Sequence, residues 1–545
     1  MSNPSSYIWI CSGVRLSPSY EHTFYFESKE AQESYFHGKV VKTFPSYTYL
    51  RKEWTIKVQA TMSETLGWNY LFFKNVTGDN KYYYYFINKV EYVNDNTVEL
   101  FLEMDVMQTF YFDYGVLASY VDRCHASTDV IGDNIIEEGL ELGEYMSHHT
   151  HRVVELDELA IVVASTVDLN EDYNFSGTDN TYTTATSTTI DGVFSGVELF
   201  VCSYGNVKTL IGKLNKLDKW GQSDAIISMY MFPRNCIAFK TPESETDLGK
   251  VNGFYPRSEI ATFTPQTKLG TYVPRNNKLF TYPYNFLYLT NNNGETAVYR
   301  YEFSKASDHS IVFSVDGSVL PEGGVKIFPK NYAGLSAEWY EAGLALTSFP
   351  TCIWNTDVYK LWLAQNQNAH KLAGLETGVK IGGGAISALA SAFTGNVIGA
   401  MGGIATMYSG ATQIAGMVAE RKDREIQPAQ AKGSFSSTLN VGLGQNSFLF
   451  YDRCVRPDMA SRIDDYFSMY GYKQNRVMDI NFKTNLPRMW WAYLKTVDCQ
   501  AYGNIPSNYL EQIRGIYNKG LTFWKEPENL GKYTYHGYME NPIAG

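Results

Sequence analysis

The chain has 545 residues, with 46 Lys and Arg against 57 Asp and Glu, so its formal net charge is -11. That length allows roughly two to four domains, each able to bury a full core without disulfides or a metal. Aromatics at 15% and charged residues at only 19% exclude collagen, a coiled coil and wholesale disorder, and favour pleated, half-buried strands.

The acidic balance gains nothing from counterion release, which argues against a tight grip on nucleic acid by the chain as a whole. Seven widely spaced cysteines without a CxxC pair argue against a disulfide scaffold and a thiolate zinc site, and point to synthesis in a reducing cytoplasm. The opening MSNPSSYIWICSGVRLSPSY shows no basic n-region followed by an apolar h-region, so no signal peptide is expected.

The first third alternates with period two. Trp54, Ile56, Val58 and Ala60 alternate with Glu53, Thr55, Lys57 and Gln59; Val98, Leu100, Leu102, Met104 and Val106 repeat the pattern. Both runs predict strands with one buried face. KYYYYF, from Lys81 to Phe86, predicts a strand with aromatic surface on both sides, inside a sheet sandwich or at a subunit contact. From Thr166 to Ser195 the chain is rich in Thr, Ser, Asn, Asp and Gly, a composition that predicts a solvated loop or a boundary between domains. Tyr299, Tyr301 and Phe303 alternate with Arg300 and Glu302 just after the turn signal Asn291 to Gly294, which predicts a hairpin.

Three short helices are expected. Asp357 to His370 gathers Val358, Leu361 and Trp362 on one side; Asp458 to Gly471 offers Asp458 as an N-cap, apolar Ile463, Phe467 and Tyr470, and a terminal glycine. Ser507 to Gly520 turns Leu510, Ile513 and Ile516 or Tyr517 inward, with Lys519 in its last turn.

Ile381 to Ala419 carries no charged residue over about 39 positions, nearly twice the roughly 20 a helix needs to cross a bilayer. Small residues recur every fourth position at Gly383, Ser387, Ser391, Gly395, Gly399 and Gly403, the spacing by which helices approach closely in lipid. Bulky Ile381, Ile386, Leu389, Phe393, Val397, Ile398, Met401, Ile404, Met407, Ile414, Met417 and Val418 are the candidate membrane-inserting side chains. Glycine and alanine are weakly apolar, and each glycine costs a helix in water about 1 kcal/mol relative to alanine. Three readings stay open: a buried Gly/Ala hairpin turning near Gly402 and Gly403, a constitutive membrane hairpin, and a loop that inserts conditionally.

Catalytic signatures are missing. HExxH, GxSxG and the P-loop do not occur, and the run opened by Gly442 and Gly444 ends in Ser447 where a dinucleotide fingerprint needs glycine. His148, His149 and His151 lack a Cys or carboxylate at ligand spacing and predict a polar surface strand, adjacent residues pointing to opposite faces. Asp464 and Asp465, side by side on a helix, suit solvated surface or capping better than a catalytic carboxylate pair. No enzyme, cofactor or metal is expected.

An ordered series of words then resembles one family. YVNDNT (Tyr92 to Thr97), MDVMQT (Met104 to Thr109), YVDRCH (Tyr120 to His125), EEGLELGE (Glu137 to Glu144) and NNKLFTYPYNFL (Asn276 to Leu287) come first. WLAQNQN (Trp362 to Asn368), IDDYFSMYGY (Ile463 to Tyr472), GNIPSNYL (Gly503 to Leu510) and GLTFW (Gly520 to Trp524) follow. Together they resemble the tail knob, or distal tail tube, proteins of small short-tailed bacteriophages of Gram-positive hosts.

The resemblance implies a mainly β, sandwich- or barrel-like, tube-forming subunit with a few short helices and a long apolar loop. Its parts would be residues 1–150 (N-terminal tube part), 151–350 (knob), 351–435 (helix plus membrane-active loop) and 436–545 (C-terminal completion). It further implies a homo-hexamer in the distal tail of the virion, made in the host cytoplasm, joined to other tail proteins and conducting genomic DNA without binding it specifically. The loop Ile381 to Ala419 would plug the tube and later form a pore in the host membrane. A passive tube with a buried hairpin, a pore-forming toxin and a wall-binding or wall-degrading tail protein are the alternatives.

Overall fold

The computed structural model describes residues 6–47, 54–75, 81–152, 159–171, 189–190, 193–194, 197–203, 207–219, 225–234, 237–240, 247–256, 259–291, 295–317, 325–333, 344–346 and 448–544. Its described elements are mainly β strands, joined by five α-helices. The chain divides into two compact units made of interleaved segments: residues 1–145, 267–284 and 455–545 form the first, and 146–266 with 285–454 the second.

The first unit opens with a six-stranded antiparallel sheet. Its strand order is Val40–Tyr47, Ser6–Ser12, Trp68–Asn75, Tyr82–Asn94, Thr97–Met104 and Thr55–Val58. Alternation along the tyrosine-rich strand sorts its rings onto two faces. Tyr84 and Phe86 join Tyr70, Phe72 and Phe36 in one apolar cluster, while Tyr85 joins Ile8, Ile10, Ile56, Val58, Leu71, Val98 and Leu100 in another. The aromatic run is therefore a sandwiched strand within this unit, as its composition predicts. Strands from opposite ends of the sheet order supply the second cluster, so the sheet curls around it.

The first cluster is closed by a five-stranded sheet in the order His22–Phe24, Leu521–Trp524, Trp491–Asp498, Ser119–Cys124 and Tyr472–Met478. His22–Phe24 runs parallel to Leu521–Trp524, so the first and last parts of the chain share one ladder. The helix Ser507–Lys519 packs Ile513, Ile516 and Tyr517 onto this core, with Leu510 partly buried beside them, as its periodicity predicts.

In the second unit a five-stranded sheet runs Ile226–Pro233, Leu159–Ser165, Glu198–Cys202, Gly249–Pro256 and Ile237–Lys240. Its strand Leu159–Ser165 buries Ala160 to Ala164 without alternation, the mark of a strand covered on both faces. Helix Val207–Lys219 adds Leu210 and Leu217 to the same core. A four-stranded sheet orders Tyr145–Arg152, Leu449–Val455, Asn285–Thr290 and Thr296–Tyr299; another orders Ala261–Phe263, Ile311–Gly317, Val325–Pro329 and Leu344–Leu346.

Several expectations change at element ends. Val106 starts a helical turn, Val106–Thr109, because the Asp105 side chain caps it by accepting the Gln108 N–H at 3.1 Å. The predicted hairpin forms, Thr290 pairing with Thr296, but Tyr301–Phe303 is a 3-10 turn and the strand ends at Tyr299. The helix after Arg456 begins at Pro457, so Asp458 lies in its first turn and not at its N-cap. Val167 and Leu169, inside the stretch expected to be solvated, are buried in the second unit's core, since their side chains are apolar whatever their neighbours. Residues 172–188 of that stretch, and the helix expected at 357–370, lie outside the described residues. Helix Lys29–His37 carries no strong apolar stripe; its signal is the cap, Ser28 accepting the Ala31 N–H at 3.2 Å.

Candidate functional site

All the membrane-inserting and helix-packing residues expected between Ile381 and Ala419 lie outside the described residues. The described chain stops at the strand Leu344–Leu346, where Leu346 pairs with Val325, and resumes at Phe448, buried in the second unit's core. Among the described residues no helix is long and apolar enough to cross a membrane.

The histidine trio lies on the strand Tyr145–Arg152. His149 and His151 are exposed and His148 is half-buried. The rings of His148 and His149 nevertheless meet at 5.0 Å, and His151 packs edge-on against Phe263. Among the described residues no group of three or more His, Cys, Asp or Glu could hold a metal ion.

The first unit contains a buried polar assembly that composition and periodicity do not reveal. Asp464, expected on the solvated face of its helix, is fully buried. Its carboxylate accepts from the Tyr272 hydroxyl at 2.7 Å, the Arg275 N–H at 2.7 Å, the Asn276 N–H at 3.2 Å and the Asn276 amide at 2.7 Å. Arg275 adds its Nε at 3.3 Å and reaches the neighbouring Asp465. A buried carboxylate is tolerable here because its lone pairs are met by oriented donors, one of them a cation. Burial and the same carboxylate push the Tyr272 hydroxyl pKa up.

A second anion, Glu138, is held between Lys278 and Arg123 and also accepts the Lys473 N–H at 3.0 Å. Arg123 spends another N–H on the Gly471 carbonyl at 2.8 Å. The Tyr472 hydroxyl donates to Asp129 at 2.6 Å, and Asp129 accepts the Asn277 N–H at 3.2 Å. These contacts tie segment 267–284 to the helix Pro457–Tyr470 and to the extended stretch after His125.

His125 completes the assembly as a neutral ring. Its Nδ1 accepts the Tyr493 N–H at 2.8 Å, so its Nε2 carries the proton and donates to the Ser468 carbonyl at 3.2 Å. Burial, with Arg488 and Arg123 nearby, pulls its pKa down to about 3. Asp105 moves the other way. Burial pushes its pKa up to about 7, against the hydrogen bonds from Gln108 and Tyr70.

The signs are opposite in the acid range. His125 contributes stability that is present above its ordinary pKa of about 6.5 and is lost as pH falls toward 3. Asp105 contributes stability that is present below its ordinary pKa near 4 and is lost as pH rises through 7. Between pH 7 and 4 they offset each other. We therefore predict that the stability advantage of the wild type over Asp105→Asn grows as pH falls from 7.5 to 4.5, by on the order of 3 kcal/mol. Urea unfolding at the two pH values measures it; a difference that stays constant would show that Asp105 does not titrate in this window.

Two family models match separate stretches of the chain. The family model for the Bacillus phage phi29 tail knob protein gp9, C-terminal domain, matches residues 254–537. The model for the caudoviral major tail protein N-terminus matches residues 4–115, which contain the six-stranded sheet. The tail knob protein gp9 of Bacillus phage B103 is 24% identical, with 96% of this chain and 97% of that protein covered. Its counterpart from Bacillus phage phi29 is 25% identical over the same shares. The structure of the bacteriophage C1 tail knob protein, gp12, superposes with a TM-score of 0.65 at 13% identity, covering 99% of this chain and 100% of that one, which is a likeness of fold.

Proposed function

We propose a function from one premise: the chain belongs to the family of the Bacillus phage phi29 tail knob protein gp9, C-terminal domain. It is a phage tail knob structural protein, a component of the tail of a virion. In our reading six copies assemble into a tube that conducts the genome, and they join other tail proteins. The segment Ile381 to Ala419 plugs that tube and then enters the host membrane.

One observation carries the membrane step: about 39 uncharged residues, with small side chains at every fourth position from Gly383 to Gly403, in a chain that is otherwise polar. Apolar loops held in a tube bury one another's surface, at roughly 25 cal/mol per Å². A bilayer replaces that burial when they are released, so insertion needs no enzymatic energy source. Once in lipid, the small-residue stripe lets helices from neighbouring copies pack around a passage.

Dye release from liposomes tests the reading, comparing the full chain with a form lacking residues 381–419, at neutral and mildly acidic pH. Release by the full chain that the deletion abolishes is expected. Gly399→Leu, which blocks the stripe, should reduce release at least tenfold while the oligomer, measured by light scattering, stays the same. Loss of the oligomer in either variant would favour the buried hairpin and a passive tube.

A further inference from the structure

The four-stranded sheet of the second unit that contains Leu449–Val455 has one core face and one face carrying a cation that, among the described residues, has no acid partner. Tyr288 pairs with Tyr451 on one side and Val298 on the other, and Phe286 pairs with Arg453. Directly paired residues rise from the same side of a pleat. Arg453, Tyr451, Tyr288 and the exposed Val298 therefore share a face, while Leu287, Leu289 and Phe450 point into the core.

On that face the Arg453 guanidinium lies 4.0 Å from the Tyr288 ring centre and 5.6 Å from that of Tyr451, and the two rings are 6.1 Å apart. Among the described residues no carboxylate or carbonyl takes its N–H groups. Arg123 and Arg275 of the first unit, by contrast, are spent on acceptors. Asp452, next in the chain, is turned to the opposite face, where it is buried and accepts the Tyr301 hydroxyl at 3.2 Å.

Stacking covers the flat of a guanidinium and leaves its in-plane N–H fork open. That fork matches two oxygens of an oxyanion, and the aromatic support lowers the entropy lost on binding. Two phenol hydroxyls belong to the flanking rings. A carboxylate would exhaust its oxygens on the fork, whereas a phosphate keeps further oxygens for hydroxyl donors. We propose that Arg453, supported by Tyr288 and Tyr451, binds a phosphate group, either free or carried in a diester.

Isothermal titration of the full chain with inorganic phosphate and with diethyl phosphate, at constant ionic strength, tests this. Saturable binding is expected, weakened at least tenfold by Arg453→Lys, which keeps the charge and loses the fork. It should weaken about threefold in Tyr451→Phe or Tyr288→Phe, which keep the rings and lose a hydroxyl. Arg476→Lys, at an exposed position of the first unit's strand Tyr472–Met478, should leave it unchanged. Binding of both probes assigns a diester-tolerant site, and binding of inorganic phosphate alone assigns one for the free ion. No saturable binding, or equal affinity in wild type, Arg453→Lys and both Phe variants, would overturn the proposal.

Discussion

Gly471→Ala is expected to destabilise the first unit by more than about 4 kcal/mol. Gly471 ends the helix Pro457–Tyr470 at φ 67, ψ −152, a conformation that is essentially glycine's alone. A Cβ there would lie 2.5 Å from the His125 nitrogen and closer still to the Cys124 carbonyl, so it meets backbone of the Ser119–Cys124 strand, which is paired on both sides. Neither neighbour can yield: Cys124 pairs with both Tyr472 and Leu494, and the His125 N–H donates to the Tyr493 carbonyl at 3.0 Å. The backbone strain alone costs about 1–3 kcal/mol, and displacing the strand raises the total above about 4 kcal/mol. Gly515→Ala is the internal control. It lies within the helix Ser507–Lys519 with nothing in reach of a new Cβ, so alanine should stabilise by about 0.5–1 kcal/mol. Urea midpoints of the two variants measure the contrast, and a near-neutral Gly471→Ala would disprove the close approach.

Asp464→Asn is expected to cost about 3–5 kcal/mol, the range found when one partner of a buried ion pair is removed. An amide offers one acceptor oxygen where the carboxylate oxygens meet Tyr272, Arg275 and Asn276, and its NH₂ would face donors. Arg275 would keep Asp465 as its anion, and Asp465 lies at a more exposed site. Asp465→Asn should accordingly cost about 0–1 kcal/mol. Because the two aspartates are adjacent, the comparison isolates burial from helix position. Equal losses in guanidinium unfolding would mean that the assembly around Asp464 contributes no more than a surface pair.

Much of the β framework was legible because its signal is local. Val98, Leu100 and Leu102 alternate with the half-buried Thr97, Glu99, Phe101 and Glu103 as period two demands, and five successive aromatic residues left few readings besides a strand covered on both faces. The polar assembly was not legible, although its residues sit inside the words that carry the resemblance: Asp105 in MDVMQT, Arg123 and His125 in YVDRCH, Glu138 in EEGLELGE, Asn276 and Lys278 in NNKLF, Asp464 in IDDYF. A charged residue reads as solvated unless its partner is known. Here the partners of Asp464 lie 188 to 192 positions away, beyond any periodicity. The interleaving of the two units escapes sequence reading for the same reason, since it depends on which distant segments meet.

The shared ladder of the chain's two ends also dictates an order of events during synthesis. Phe24 pairs with Trp524, and Lys519 donates to the Ser19 carbonyl across 500 positions. At about 5–20 residues per second, the strand His22–Phe24 waits roughly 25–100 s after leaving the ribosome for its partner. The six-stranded sheet can pair its own strands in that interval and Phe36 can cover Tyr70, Phe72 and Tyr84, but Phe110 and Tyr114 stay without the Tyr509 and Tyr517 rings that they meet at 5.3 and 6.4 Å. Ribosome-bound chains truncated before residue 507 should thus expose the apolar surface around Phe110 and Tyr114 to chaperones, and its protection should arrive abruptly with the last 40 or so residues.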